Sequence, residues 1–174
     1  MSDYELIDIY DHDGNRTGKV IQRENAFLNE GQYMLYVLGI IQNSAGKFLI
    51  TRRALDKAWA AGHWEVPGGG VRAGETADEA ILREVGEETG LTVGDKISEP
   101  IYRYENVDLA RGDNYLVDIY RFQLDFTPED VTLQQSEAID FRLVSWNDIE
   151  QLNQRGSFLH FDRIRQALVA ANVL

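Results

Sequence analysis

The chain has no cysteine, which excludes disulfides, thiolate metal sites and a cysteine nucleophile. It has no excess of positive charge: 17 Lys and Arg stand against 29 Asp and Glu, a net charge of −12. Long-range attraction to nucleic acid or to an anionic membrane surface is therefore not expected. No stretch approaches the roughly 20 apolar residues of a membrane span. The acidic opening Met1-Ser2-Asp3-Tyr4-Glu5 lacks the basic-then-apolar layout of a secretory signal, so a cytoplasmic location is expected. Proline is scarce, with only Pro67, Pro100 and Pro128. Repeats, low-complexity tracts and linker-like segments are absent, so one domain is the default.

What is present suits a folded mixed α/β chain. A length of 174 residues allows a domain that buries roughly 70% of its unfolded-state surface. Leu6-Ile7-Asp8-Ile9-Tyr10 alternates, turns through Asp13-Gly14-Asn15 and resumes at Thr17-Gly18-Lys19-Val20-Ile21, which predicts a β-hairpin. Residues 1–32 are expected to form a hairpin extension packed on a main domain of residues 33–174. The apolar run Tyr33–Gln42 and the segment Lys47–Thr51 read as core strands. Tyr102–Tyr104, Tyr115–Leu124 and Phe141–Val144 are further strand candidates, and helical patterns fall at Thr76–Thr89, Trp146–Leu152 and His160–Ala171. Two or three helices against a mixed sheet are expected.

The chemistry concentrates between Gly68 and Leu91, GGGVRAGETADEAILREVGEETGL. Thr76 and Glu79 fit a capping box and Gly90 the left-handed position past a helix end. At about 100° per residue, Glu84, Glu87 and Glu88 share one face. The small residues Ala77 and Ala80 fall in the same sector, which predicts open space in front of the carboxylates. Like charges at this spacing are unfavourable by roughly 0.2–0.5 kcal/mol each unless a cation neutralises them, and all-oxygen ligation suits Mg²⁺, Mn²⁺ or Ca²⁺ rather than zinc. Any one of these glutamates, taken alone, is ordinarily just a solvated helix residue.

The whole string, however, resembles the Nudix box of the Nudix (MutT-like) hydrolases: Gly69, five residues, Glu75, seven residues, then Arg83-Glu84-Val85-Gly86-Glu87-Glu88-Thr89-Gly90-Leu91. Chance agreement at seven fixed positions is on the order of once in a hundred million windows at ordinary composition. The flanks Trp64–Gly69 and Leu143–Trp146 with Asp148 look like the family too. The resemblance implies an α/β/α sandwich with a mixed β-sheet, preceded here by the N-terminal hairpin, and Mg²⁺-dependent hydrolysis of a phosphoanhydride in a small phosphorylated metabolite or nucleotide. By resemblance, Glu87 and Glu88 would be principal metal ligands and the Gly68 carbonyl a backbone ligand. Glu84 would be a further ligand or the general base, and Glu75 and Arg83 would hold the helix and its glutamates in place.

An acidic residue outside the box is also implied by the resemblance. Glu137 is the candidate, with Glu105, Asp108 and Asp113 as rivals and a solvated loop glutamate as the plain alternative. Tyr102, Tyr104, Tyr115 and Trp59 could stack a nucleobase, but aromatic residues in strands more often pack in cores. His12, His63 and His160 have no spacing that suggests a metal site or triad. The hairpin resembles that of Nudix isopentenyl-diphosphate isomerases, which rely on an active-site cysteine that this chain lacks. A non-catalytic nucleotide-sensing Nudix module is the other alternative. The family often dimerises, so a homodimer is an expectation.

Overall fold

A computed structural model describes residues 4–174; the sequence reading at Met1-Ser2-Asp3 lies outside the described residues. The strands are β1 (Leu6–Tyr10), β2 (Arg16–Gln22), β3 (Met34–Gln42), β4 (Phe48–Arg53), β5 (Trp64–Glu65), β6 (Gly68–Gly70), β7 (Tyr102–Asn106), β8 (Tyr115–Gln123) and β9 (Ala138–Val144). The helices are α1 (Ala77–Thr89), α2 (Trp146–Gln154) and α3 (Phe161–Ala170). β1 and β2 pair as an antiparallel hairpin, and the other seven strands form one mixed sheet.

β3 is the central strand. It runs parallel to β8 from Met34↔Tyr115 to Gln42↔Gln123, and like other parallel strands covered on both faces it is apolar almost throughout. Leu35, Val37 and Ile41 join Ile81 and Val85 of α1 in one core. Leu38 and Ile40 join Ile149 of α2 and Ile164, Ala167 and Leu168 of α3 in the other. Helices therefore cover both faces of the sheet, which is the α/β/α sandwich expected from the sequence. Gly39 faces α1, where a Cβ would lie 3.1 Å from Ile81 Cδ1, so this gap in the strand lets the helix approach.

β3 and β4 are joined by a turn in which Asn43 Oδ1 accepts from the amides of Ala45 and Lys47. They pair only at Gln42↔Phe48 and then splay. β4 goes on to pair with β9 and β5, while β6 takes the vacated edge of β3 at Tyr36–Leu38. The crevice opened by this splay is where the box helix ends up.

The hairpin straps the loop that precedes α1. Ala73 N–H donates to Leu6 O at 2.8 Å, Gly74 N–H to Asp8 Oδ2 at 2.8 Å, and Arg16 Nη2 to Glu75 O at 2.6 Å. On the sheet side, Arg103 Nη2 donates to the buried Asp118 at 2.8 Å, and its Nη1 reaches Asp13 O at 3.4 Å. Among the described residues no helix is long and apolar enough to cross a membrane.

Gly39→Val tests the close approach of α1. Crowding a packed core costs about 1–3 kcal/mol, so the urea midpoint should fall by a corresponding amount, whereas an unchanged midpoint would show that the helix is not seated on that glycine.

Candidate active site

α1 forms for the reasons visible in its sequence. Thr76 Oγ1 accepts from Glu79 N–H and the Glu79 carboxylate accepts from Thr76 N–H, and Gly90 ends the helix at φ 72° with its N–H donating to Gly86 O. Ile81 and Val85 are fully buried. So is Ala80, and Ala77 packs against the same core. The open space expected in front of these alanines is therefore not there: their sector turns partly under the sheet, and the carboxylates reach past it.

Arg83 organises the acidic face. Its Nε and Nη2 donate to the two oxygens of Glu75 at 2.7 and 2.9 Å, a bidentate fork. Nη2 also donates to Gly70 O at 3.1 Å, and Nη1 donates to Glu84 at 2.8 Å and to Glu87 at 3.4 Å. The i,i+4 contact to Glu87 is thus the longest of the set, and the fork to Glu75 is the main anchor. Such forks fix a guanidinium in one plane. Burial opposes ionisation of Glu75, but the hydrogen bonds from Arg83 and from the Arg72 amide outweigh it and hold the carboxyl below its ordinary range.

Glu84 lies against the glycine strand. A Cβ on Gly69 would sit 2.4 Å from Glu84 Oε1, and one on Gly68 would sit 2.2 Å from Val37 O, so both positions need glycine for the strand and the carboxylate to meet. Burial raises the Glu84 pKa despite Arg83. Glu88 accepts from Gly68 N–H at 3.3 Å. Its pKa is raised well above the carboxylate range by burial first and then by the charges of Glu84 and Glu65. Glu65, on β5, is raised by burial and countered by Arg53 Nη1 at 3.2 Å.

Gly68, Glu84, Glu87, Glu88 and Glu137 all line one cavity of about 410 Å³. Glu137 is delivered by the start of β9, where its carbonyl accepts from Ala54 N–H, and its carboxylate pairs with Lys57. Glu75 lies behind Arg83 rather than on the cavity wall. Of the rivals to Glu137, Glu105 contacts His12 at 3.3 Å and Asp108 caps the turn at Arg111, while Asp113 lines a second cavity. That cavity, about 390 Å³, is walled by Tyr36, Tyr104, Tyr115, Trp59 and His160 and shares Arg23, Arg53, Glu65, Gly68 and Gly69 with the first. Burial lowers the His160 pKa, which favours its neutral form.

Sequence reasoning assigned no role to Glu65, Arg53, Lys57, Arg23 or Arg72, all of which line the acidic cavity. Glu65 alone carried a usable signal, an acid between Trp64 and Val66 immediately before the glycine run. Among the described residues no three His, Cys, Asp or Glu side chains already converge on a point suited to a metal ion; Arg83, Lys57 and the Gly68 amide each engage one oxygen of Glu84, Glu137 and Glu88. The donor set is nonetheless all oxygen, and six glutamates line the cavity against five arginine and lysine residues; oxygen donors are what a hard divalent ion requires.

Residues 32–164 match the NUDIX domain family. An uncharacterized Nudix hydrolase of Listeria innocua serovar 6a is 30% identical over 146 residues, covering 83% of each chain. A crystal structure from Deinococcus radiodurans shares the fold with a TM-score of 0.66 at 22% identity, covering 86% of this chain and 90% of that one. The NUDIX domain of Shewanella oneidensis NrtR, complexed with ADP ribose, does so with a TM-score of 0.56 at 18% identity, covering 68% and 77%. The chain belongs to the Nudix family. It is a hydrolase of the kind that acts on pyrophosphate bonds.

Glu88 yields a pH prediction. Its folded-state pKa lies above its unfolded value, so in EDTA its ionisation should lower stability as pH rises from the unfolded carboxylate range through the folded pKa. Glu88→Gln, which keeps an acceptor for Gly68 N–H, should raise the metal-free melting temperature at neutral pH and flatten that decline; a lower melting temperature than wild type would contradict the assignment.

Proposed function

We propose that this protein hydrolyses a phosphoanhydride bond in a nucleoside diphosphate linked to a second moiety, or in a nucleoside triphosphate, with Mg²⁺ held by Glu84, Glu87, Glu88, Glu137 and the Gly68 carbonyl. Mn²⁺ is the expected substitute. The observation that carries this reading is the gathering of the box carboxylates, the glycine strand and Glu137 around one cavity. The ADP ribose bound by the NrtR domain supports a nucleotide-derived ligand, because the same fold accommodates one there.

Carboxylates alone would repel a diphosphate, so the residues must first be neutralised. When bound, a divalent ion supplies that charge and lowers the pKa of the attacking water. The chain's own part is positioning and proton handling. Glu84 is proposed as a further ligand or as the general base, and Arg83 fixes one of its oxygens at 2.8 Å. Glu75 keeps Arg83 from swinging away, and the hairpin keeps Glu75 in place by gripping its backbone. Across the cavity, Arg53 and Lys57 bring positive charge from β4 and the loop that follows it.

Purified protein with Mg²⁺ should cleave at least one member of a panel of ADP-ribose, nucleotide sugars, dinucleoside polyphosphates, NADH and nucleoside triphosphates, as resolved by chromatography. Glu84→Gln should retain the fold and lose about 10²–10⁴-fold in kcat, the usual contribution of a positioned base. Full activity in Glu84→Gln would remove the base assignment, and binding without turnover across the panel would favour a sensing module. Arg83→Lys keeps a charge but cannot make the fork, so kcat should fall by about tenfold or more with little change in melting temperature; wild-type kcat in that variant would show that the fork does not position the base.

A further inference from the structure

The acidic cavity and the aromatic cavity meet at Arg23, which lines both. Arg23 follows directly on β2, so the hairpin delivers it, and its side chain is 39% exposed. Nη1 donates to Glu5 Oε2 at 2.8 Å, and the guanidinium lies over the Tyr36 ring, 5.3 Å from its centroid. It also rests against β6, where a Cβ on Gly70 would come within 3.1 Å of Nη1. A guanidinium carries five N–H donors in a plane, and this one is held by a carboxylate on one edge and by a ring beneath. It lies at the junction, next to the glycine strand and the box carboxylates.

The second cavity has a different character. Tyr36 and Tyr115 meet edge to face at 5.4 Å, Tyr104 and Val117 form the floor, and Trp59, 59% exposed, stands at the mouth. Arg163 lies over one face of Tyr104 at 4.7 Å and Arg53 over one face of Trp59 at 5.3 Å; an aromatic face opposite such a cation binds planar rings by stacking with little regard to ring identity, and His160 and Asp113 line the same cavity. A ligand reaching from the carboxylates into this cavity crosses the junction that Arg23 lines together with Arg53, Glu65, Gly68 and Gly69, and the part of a nucleotide that lies between a scissile phosphoanhydride and a base is a phosphate and a sugar.

We propose that Arg23 is a specificity-determining residue that grips a phosphate of the substrate between the two cavities, with the planar ring of a nucleobase seated against the aromatic walls of the second. This rests on the nucleotide-hydrolase reading above and adds to it the residue and the wall that select nucleotides over other diphosphates. Arg–phosphate pairing is charge-assisted and directional, so its loss should weaken phosphate-bearing ligands and spare the free nucleoside.

The test is calorimetric titration of the Mg²⁺-supplemented protein with the four nucleoside monophosphates, the corresponding nucleosides and ribose 5-phosphate, none of which needs turnover. At least one monophosphate should bind tenfold or more tightly than ribose 5-phosphate. Arg23→Met should weaken that monophosphate by about 10- to 100-fold and change its nucleoside by less than about twofold. Glu5→Gln, which breaks the same ion pair but leaves Arg23 charged, should bind the monophosphate at least as tightly as wild type. Equal binding of ribose 5-phosphate would overturn the aromatic seat. Unchanged binding in Arg23→Met, or an equal loss in Glu5→Gln that traces to a loosened hairpin, would overturn the role of Arg23. Arg23-dependent monophosphate binding by a protein that cleaves nothing would leave this inference standing and remove the hydrolase proposal, and cleavage with an indifferent Arg23→Met would do the reverse.

Discussion

Four carboxylates and one guanidinium set the terms for the rest of this structure. Glu75, Glu84 and Glu87 all contact Arg83, and Glu88 stands beside them with its ionisation suppressed by burial and by like charge. Such a cluster repels itself, and the fold contains several features that keep it together. Gly69 omits a side chain where Glu84 approaches, Gly70 offers its carbonyl to Arg83, and the hairpin holds the preceding loop at Ala73, Gly74 and Glu75. Removing one partner would leave an uncompensated charge in a part-buried place, which is more costly than never having built the pair.

The sheet makes room for this cluster by parting. β3 and β4 separate after a single paired position, so β4 carries Arg53 to one wall of the crevice while β6 lays the glycine strand along the other. The crevice continues past Gly68 and Gly69 into the aromatic cavity, which gives one continuous site with an acidic end and a π-rich end. The box carboxylates and the glycine strand stand on a capped helix and on β6, the arrangement that holds side chains to a defined geometry, whereas Lys57, Trp59, Asp113 and Glu137 come from the connecting segments.

Much of this was legible in the sequence because it is local. The capping box at Thr76 and Glu79, the left-handed Gly90 and the placing of the three glutamates follow from helix geometry alone, and the β3 and β8 runs declare themselves as strands covered on both faces. The Nudix box carried the fold. The remainder depends on distant contacts. β5 and β6 are two and three residues long, too short to show a period, and they exist because β4 and β3 offer edges to pair with. Ala80 looked like space beside the carboxylates but is core, because the helix rolls toward the sheet by more than a wheel projection conveys. Arg23, Arg53 and Lys57 reach the site through the hairpin and the β3–β4 splay, which no spacing in the sequence encodes, whereas Glu137 could be singled out only by its place before a strand.

The box carboxylates are proposed to form a cation site whose self-repulsion a divalent ion relieves. Thermal denaturation across a Mg²⁺ titration, in wild type and in Glu88→Gln, tests it most directly, since a ligand that binds only the folded state raises its stability with concentration. The melting temperature should climb with Mg²⁺ in wild type and rise much less in Glu88→Gln. A wild-type curve that ignores Mg²⁺ and Mn²⁺, or an undiminished rise in the variant, would contradict it.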